Sequence, residues 1–248
     1  MAVPSSPGLF PATRWTLLQR VRAGSAEEAW EALNTLCRVY WQPLYCVARR
    51  KQFSAHDAKD VVQGFFESLL RRETFATADE TAGKLRQFLL SCFDNYCGQQ
   101  WHKANRQKRG GGAEHVEFIE FPDAGKTEQR YLKDIGAPSS SIEALYNRQW
   151  ANAVLERSLH ALREDYASRG WQDRYDLLVG PLLQQEDEAS LTDLAGRTGQ
   201  TPGALRVTLH RMRGHYRDQI ERELAATLDT DDPALIRAEM AELFKAFG

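Results

Sequence analysis

The sequence predicts an all-α fold: two helical domains joined by a flexible linker. Apolar residues recur at helical spacing through most of the 248 residues, and Gly and Pro are sparse inside those stretches. Strand-like alternation is confined to VEFIEF near residue 116, and a lone strand has no partner to pair with. The segment 110–140 opens on GGG, closes on GAPSSS and carries scattered acids, the composition of a tether. The expected organisation is an N-terminal extension (1–27), a first helical domain (28–109), the linker (110–140), a second helical domain (141–222) and an acidic C-terminal extension (223–248).

In chain order, TRWTLLQRV predicts a short helix ending at Gly24. Ser25 and Glu28 form a capping box that starts the next helix, which buries Trp30, Leu33, Leu36, Cys37 and Tyr40 until Pro43 interrupts it. LYCVARRK gives one more helix before Phe53. In SAHDAKDVVQGFFESLL, Ser54 caps with Asp57, and Ala58, Val61, Val62, Phe65, Phe66, Leu69 and Leu70 fall on one face. The other face carries Asp57, Lys59, Asp60, Gln63 and Glu67, either a solvated surface or one presented to a partner. Leu85, Phe88, Leu89, Cys92, Phe93, Tyr96 and Trp101 line a helix that runs into a basic stretch.

Beyond the linker, Ser140 and Glu143 form a second capping box, and Ile142, Leu145, Trp150, Val154, Leu155, Leu159, Leu162 and Tyr166 continue a long amphipathic helix to about Gly170. Trp171 to Leu183 is a shorter helix, bent at Gly180-Pro181. SLTDLAGRTGQTPGALRVTLHRMRGHYR, residues 190–217, reads as a helix-turn-helix. Ser190 caps its first helix, and Thr201 caps its second with Pro202 at the first helical position. Ala195 lets the helices approach, Gly199 permits a left-handed turn and Leu205 fills the junction. Leu205, Leu209, Met212 and Tyr216 form the buried stripe, leaving Arg206, Val207, His210, Arg211 and Arg213 on the outer faces.

The net charge of −2 does not announce a nucleic-acid partner, but it conceals local asymmetry. Lys103, Arg106, Lys108 and Arg109 stand together without an acid, as do Arg206, Arg211, Arg213 and Arg217. Basic stretches on helices are what phosphate contact requires. The N-terminus lacks the basic and apolar regions of a secretion signal, and no apolar run approaches a membrane span, so a cytoplasmic protein without membrane insertion is expected. Cys37, Cys46, Cys92 and Cys97 read as reduced core thiols, since Cys92, Cys97 and His102 do not share one helix face and no CxxC pair occurs. GxxxxGK[ST], GxGxxG after a strand and HExxH are absent, so neither an enzyme nor a cofactor is expected.

Taken together, HDAKDVVQGFF, the basic aromatic helix LRQFLLSCFDNYCGQQWHKANRQKR and TPGALRVTLHRMR, in this order, resemble the bacterial RNA polymerase sigma factors of the small extracytoplasmic-function class, over about residues 28–109 and 141–220. The resemblance implies a region-two bundle and a region-four helix-turn-helix. It implies that Asp57, Asp60 and Gln63 bind the core polymerase, whose β′ clamp helices and β subunit are the partners. It further implies that Asn95, Lys103 and Arg106 lie along the melted minus-ten strand. Arg206 and Arg211 would contact the minus-thirty-five duplex, with Thr201, His210 and Arg213 beside them. An anti-sigma or other inhibitory protein is a further implied partner.

Two positions depart from the family pattern: Lys59 stands where an acid is usual, and Gly64 where an acid usually follows the glutamine. The C-terminal extension sets six acids against Arg237 and Lys245, and DPALIRAEMAELFKAF forms an amphipathic helix that either docks on its own domain or covers a basic DNA face. A helix-turn-helix regulator that acts without polymerase is the alternative reading of the same residues.

Overall fold

The computed structural model describes residues 16–70, 85–106, 124–134, 141–184, 188–228 and 230–247. Among them the chain is all-helical, without a strand. It divides into two compact units: residues 1–153 with 226–248, and residues 154–225.

In the first unit, α1 (Thr16–Ala23) and α2 (Ala26–Arg50) meet at the predicted capping box: the Glu28 N–H donates to Ser25 Oγ (3.3 Å) and the Ser25 N–H to Glu28 Oε2 (2.7 Å). α2 does not end at Pro43 but continues through it. Proline removes one backbone hydrogen bond. Pro43 is nevertheless buried, and Leu44, Tyr45, Cys46, Val47 and Ala48 after it all enter the core, so tertiary packing carries the helix across the gap. Trp30, expected in the buried stripe, is 38% exposed, as an amphipathic indole at a helix start tolerates.

α3 (Ala55–Leu70) and α4 (Leu85–Arg106) complete the bundle around α2. Phe65 is the hub: its ring lies 5.2 Å from Phe93 and 5.8 Å from Tyr96, both edge-on. Aromatic pairs favour that offset geometry. Cys37, Cys46 and Cys97 are buried and Cys92 is half-buried, all as free thiols; burial pushes Cys92 up to about 11 and Cys97 to about 12.

The segment 110–140 is not an extended tether throughout. Residues 124–134 form α5 (Ala124–Asp134), which packs on α2, whereas VEFIEF lies outside the described residues. The Glu128 carboxylate accepts from Tyr45 Oη (2.7 Å) and from Arg49 Nη2 (2.7 Å) and Nε (3.0 Å), and the Arg49 guanidinium also covers the buried Tyr131 ring. α6 (Ile142–Ser168) is capped by Ser141, whose Oγ accepts from the Ala144 N–H (3.1 Å); Ser140, the expected cap, is outside the described residues. The first turns of α6 belong to the first unit, as does the C-terminal helix α10 (Pro233–Lys245), capped by Asp232. α10 therefore belongs to the first unit and not to the unit that holds α8 and α9. Its seat is Arg86 at the start of α4, which pairs with Glu239 and Glu242.

The second unit contains the rest of α6, then α7 (Gln172–Leu183), α8 (Glu188–Thr198) and α9 (Pro202–Leu228) as far as residue 225. Leu162, Tyr166, Tyr175, Leu178, Leu191, Leu194, Leu205, Leu209 and Met212 form its core. α6 is closed just past its end by Gly170, with φ of 70°, where the Trp171 N–H bonds the Tyr166 carbonyl (2.8 Å), a Schellman closure. α7 continues through Pro181, and α8 begins before Ser190, which lies within it rather than capping it.

Candidate nucleic-acid interface

The helix-turn-helix is assembled as its residue types require. Leu191, Ala195 and Leu205 are buried in the core of the unit, and Gly199 adopts φ of 67° in the turn, a left-handed conformation that a side chain would strain. Thr201 Oγ1 accepts from the Ala204 N–H (3.2 Å), so Thr201 is a cap and its side chain is engaged by its own helix. Leu209 and Met212 continue the buried stripe, and the Tyr216 hydroxyl donates to the Leu155 carbonyl (3.0 Å), fastening α9 to α6 inside the same unit. Arg157 and Glu223 reinforce that pairing at 2.5 Å.

Opposite the stripe, Arg206, Val207, His210, Arg211 and Arg213 are all exposed. At about 100° per residue, Arg206, His210 and Arg213 fall on one flank and Arg211 on the other. Between them runs a ridge of Gly203, Val207 and Gly214, with Val207 52% exposed. A Cβ built on Gly203 or Gly214 meets nothing within 4 Å, so no internal packing asks for glycine there. The result is a low, partly apolar ridge between cationic flanks. Such a ridge can approach a groove floor, where a valine meets thymine methyls while arginines reach guanine edges or phosphates.

In the first unit α4 exposes Asn95, and Asp94 beside it pairs with Lys51. Lys103 and Arg106 lie in the last turns of α4, with side chains outside the described residues. Trp101, expected in the buried stripe, is instead 46% exposed and stands edge-on to Phe53 at 5.7 Å. An exposed indole backed by a half-buried phenylalanine has a face on which a base can stack, and its signal in the sequence was a tryptophan among Gln99, Gln100 and Lys103.

On α3, Asp57, Lys59 and His56 are exposed and Asp60 is half-buried, 3.8 Å from His56 Nδ1. The Asp57 N–H donates to Ser54 Oγ (3.1 Å) and its carboxylate accepts from the same hydroxyl (2.7 Å), so this residue is partly spent on the helix cap. Gln63 does not share the exposed face. It is 6% exposed, and its amide donates to Glu67 (3.3 Å). A three-residue step carries the chain from the rim of the helix to its packed side, so Asp60 and Gln63 are separated by burial although close in register.

Both departures from the family pattern acquire neighbours. A Cβ on Gly64 would stand 2.5 Å from the Tyr96 hydroxyl, so glycine makes room for α4. Lys59 acts on α5: the Arg49 guanidinium bonded to Glu128 holds that carboxyl below its ordinary value, and the Lys59 ammonium pulls in the same direction. Arg49 Nη1 also donates to the Phe53 carbonyl (2.6 Å), tying this cluster to the turn that precedes α3. Among the described residues no group of three His, Cys, Asp or Glu is placed to hold a metal ion, and no helix is long and apolar enough to cross a membrane. No family model, curated protein or solved structure matches the chain.

Proposed function

We propose that the chain is a sigma factor of the extracytoplasmic-function type, which docks on core RNA polymerase through α3 and engages promoter DNA through α4 and α9. The observation that carries this reading furthest is α9: a capped helix after a left-handed glycine turn, exposing Arg206, His210, Arg211 and Arg213 around an open ridge. Trp101 and Asn95 on α4 supply the stacking and polar groups that an unpaired strand needs. Asp57, Asp60 and Gln63 are the α3 groups assigned to polymerase; Asp57 and Asp60 are at the surface or its rim, and Gln63 is buried and bonds Glu67 in the free chain. The protein performs no covalent chemistry in this reading, acts in the cytoplasm and is held in check by an inhibitory protein.

Because α9 would serve equally well in a regulator that ignores polymerase, the test separates the two contacts. The full chain is mixed with core polymerase and, separately, with duplex promoter DNA. Asp60→Lys is expected to remove co-purification with core and leave duplex binding intact. Duplex binding without any co-purification of the parental chain favours the polymerase-independent regulator.

A further inference from the structure

The second unit is an insertion in the first: residues 154–225 leave through α6 and return through the end of α9. The returning segment buries Thr227, Leu228 and Thr230 and ends in α10, which has a small seat of its own. On α10 the buried residues are Glu239, Met240 and Leu243. Opposite them Arg86, 4% exposed, bonds Glu239 Oε1 at 2.5 Å, approaches Glu242 Oε2 at 3.6 Å and lies over the Trp150 ring at 4.1 Å, closing a contact across 153 residues of chain. Phe244 and Phe247 on the same helix remain 59% and 46% exposed.

This seat differs from the aromatic core around Phe65. α10 buries two apolar side chains there, Met240 and Leu243, with Leu235 and Ile236 half-buried, and the centre of the seat is a guanidinium over an indole. Within the unit the buried Arg86 Nε, Tyr146 hydroxyl and Trp150 Nε1 lack hydrogen-bond partners. A buried charge with incomplete hydrogen bonding regains water when its contact opens, which offsets part of the cost of separation. A wholly apolar seat gains nothing of the kind.

We propose that α10 is a reversible latch: Glu239 and Glu242 clasp Arg86 in the closed chain, and their release frees the C-terminal end of the second unit. The trigger rests on the reading given above. Polymerase-bound modules must take up the spacing of two promoter elements, and a module tied at both ends has less reach than one tied through α6 alone.

Hydrogen exchange on the full chain tests the latch, with α2 amides as the internal reference. In the parental chain the amides of 233–245 are expected to exchange by local opening, faster than those of α2. The double substitution Glu239→Gln and Glu242→Gln is expected to raise their exchange by about 100-fold, with α2 and α4 unchanged. Leu243→Ala is expected to give the same local pattern without a change of charge. If α10 exchanges at the α2 rate and the variants raise both together, α10 belongs to the core and the latch is wrong. Core polymerase added to the parental chain is expected to protect α3 and deprotect α10. Protection of α3 with α10 unchanged overturns the trigger. If no amide responds, the polymerase reading fails instead, and the variants alone decide the latch.

Discussion

At Gly64 two residue-scale effects oppose each other. Alanine in a helix interior is favoured over glycine by about 1 kcal/mol. Its Cβ, however, would sit 2.5 Å from the Tyr96 hydroxyl, and overpacking of that kind costs about 1–3 kcal/mol. Gly64→Ala is therefore expected to destabilise the chain by about 1 kcal/mol in urea denaturation, and to become stabilising in a Tyr96→Phe background. Equal effects in both backgrounds would show that the hydroxyl is not the obstacle. Glu128 makes a pH-dependent contribution. Its folded carboxyl is held below the ordinary 4.5 by Arg49, so its stabilisation is present above that value and lost as pH falls through the folded one. Exchange of the α5 amides is expected to accelerate relative to α2 as pH drops from about 6 to about 3, with the intrinsic rate divided out, and Glu128→Gln is expected to flatten that difference. The caps at Ser25, Ser54 and Thr201 were readable because each bonds a neighbour three residues away. Gly64, Lys59 and Gln63 were not, because what fixes their roles lies on other helices or in burial that periodicity leaves undetermined.

Elements with one continuous apolar face were legible from spacing alone, and α3 and α9 are the clearest instances. α9 nonetheless runs to Leu228, past the end of the helix-turn-helix motif, because Ile220 and Leu224 extend its buried stripe. Local composition misled in two places. Pro43 reads as a break, but α2 has neighbours enough to bury every residue from Pro43 to Ala48. The segment holding α5 reads as linker because its docking uses Thr127, Glu128 and Tyr131, a face too small and too polar to register as a hydrophobic period. Gly214 offers an element-scale test of α9. With nothing within 4 Å of its missing Cβ, Gly214→Ala is expected to raise the stability of the second unit by about 1 kcal/mol in thermal denaturation. A neutral or destabilising result would mean that α9 has a neighbour at this ridge within the free chain. If the ridge approaches DNA, the same substitution is expected to weaken duplex binding while stabilising the fold.

At the scale of the molecule, the net charge of −2 says little about partners, since cations gather on α9 while acids gather in the C-terminal segment. The sequence marked an acidic amphipathic helix after residue 222 but not where it docks. That information is held by Arg86, a single charged residue at the start of a distant helix that looks like ordinary solvent-facing punctuation until it is found 4% exposed. The same limit applies to α6, whose uninterrupted period gives no sign that its first turns pack in one unit and its last turns in the other. The placement of Asp60 on α3, Trp101 on α4 and Arg211 on α9 fits a chain that brings polymerase to a promoter and opens it there. In vitro transcription with purified core polymerase, over a library of upstream sequences, tests that claim most directly. Start-site-specific transcripts are expected that require the parental chain and vanish with Asp60→Lys. Duplex binding with no chain-dependent transcript from any template would contradict it.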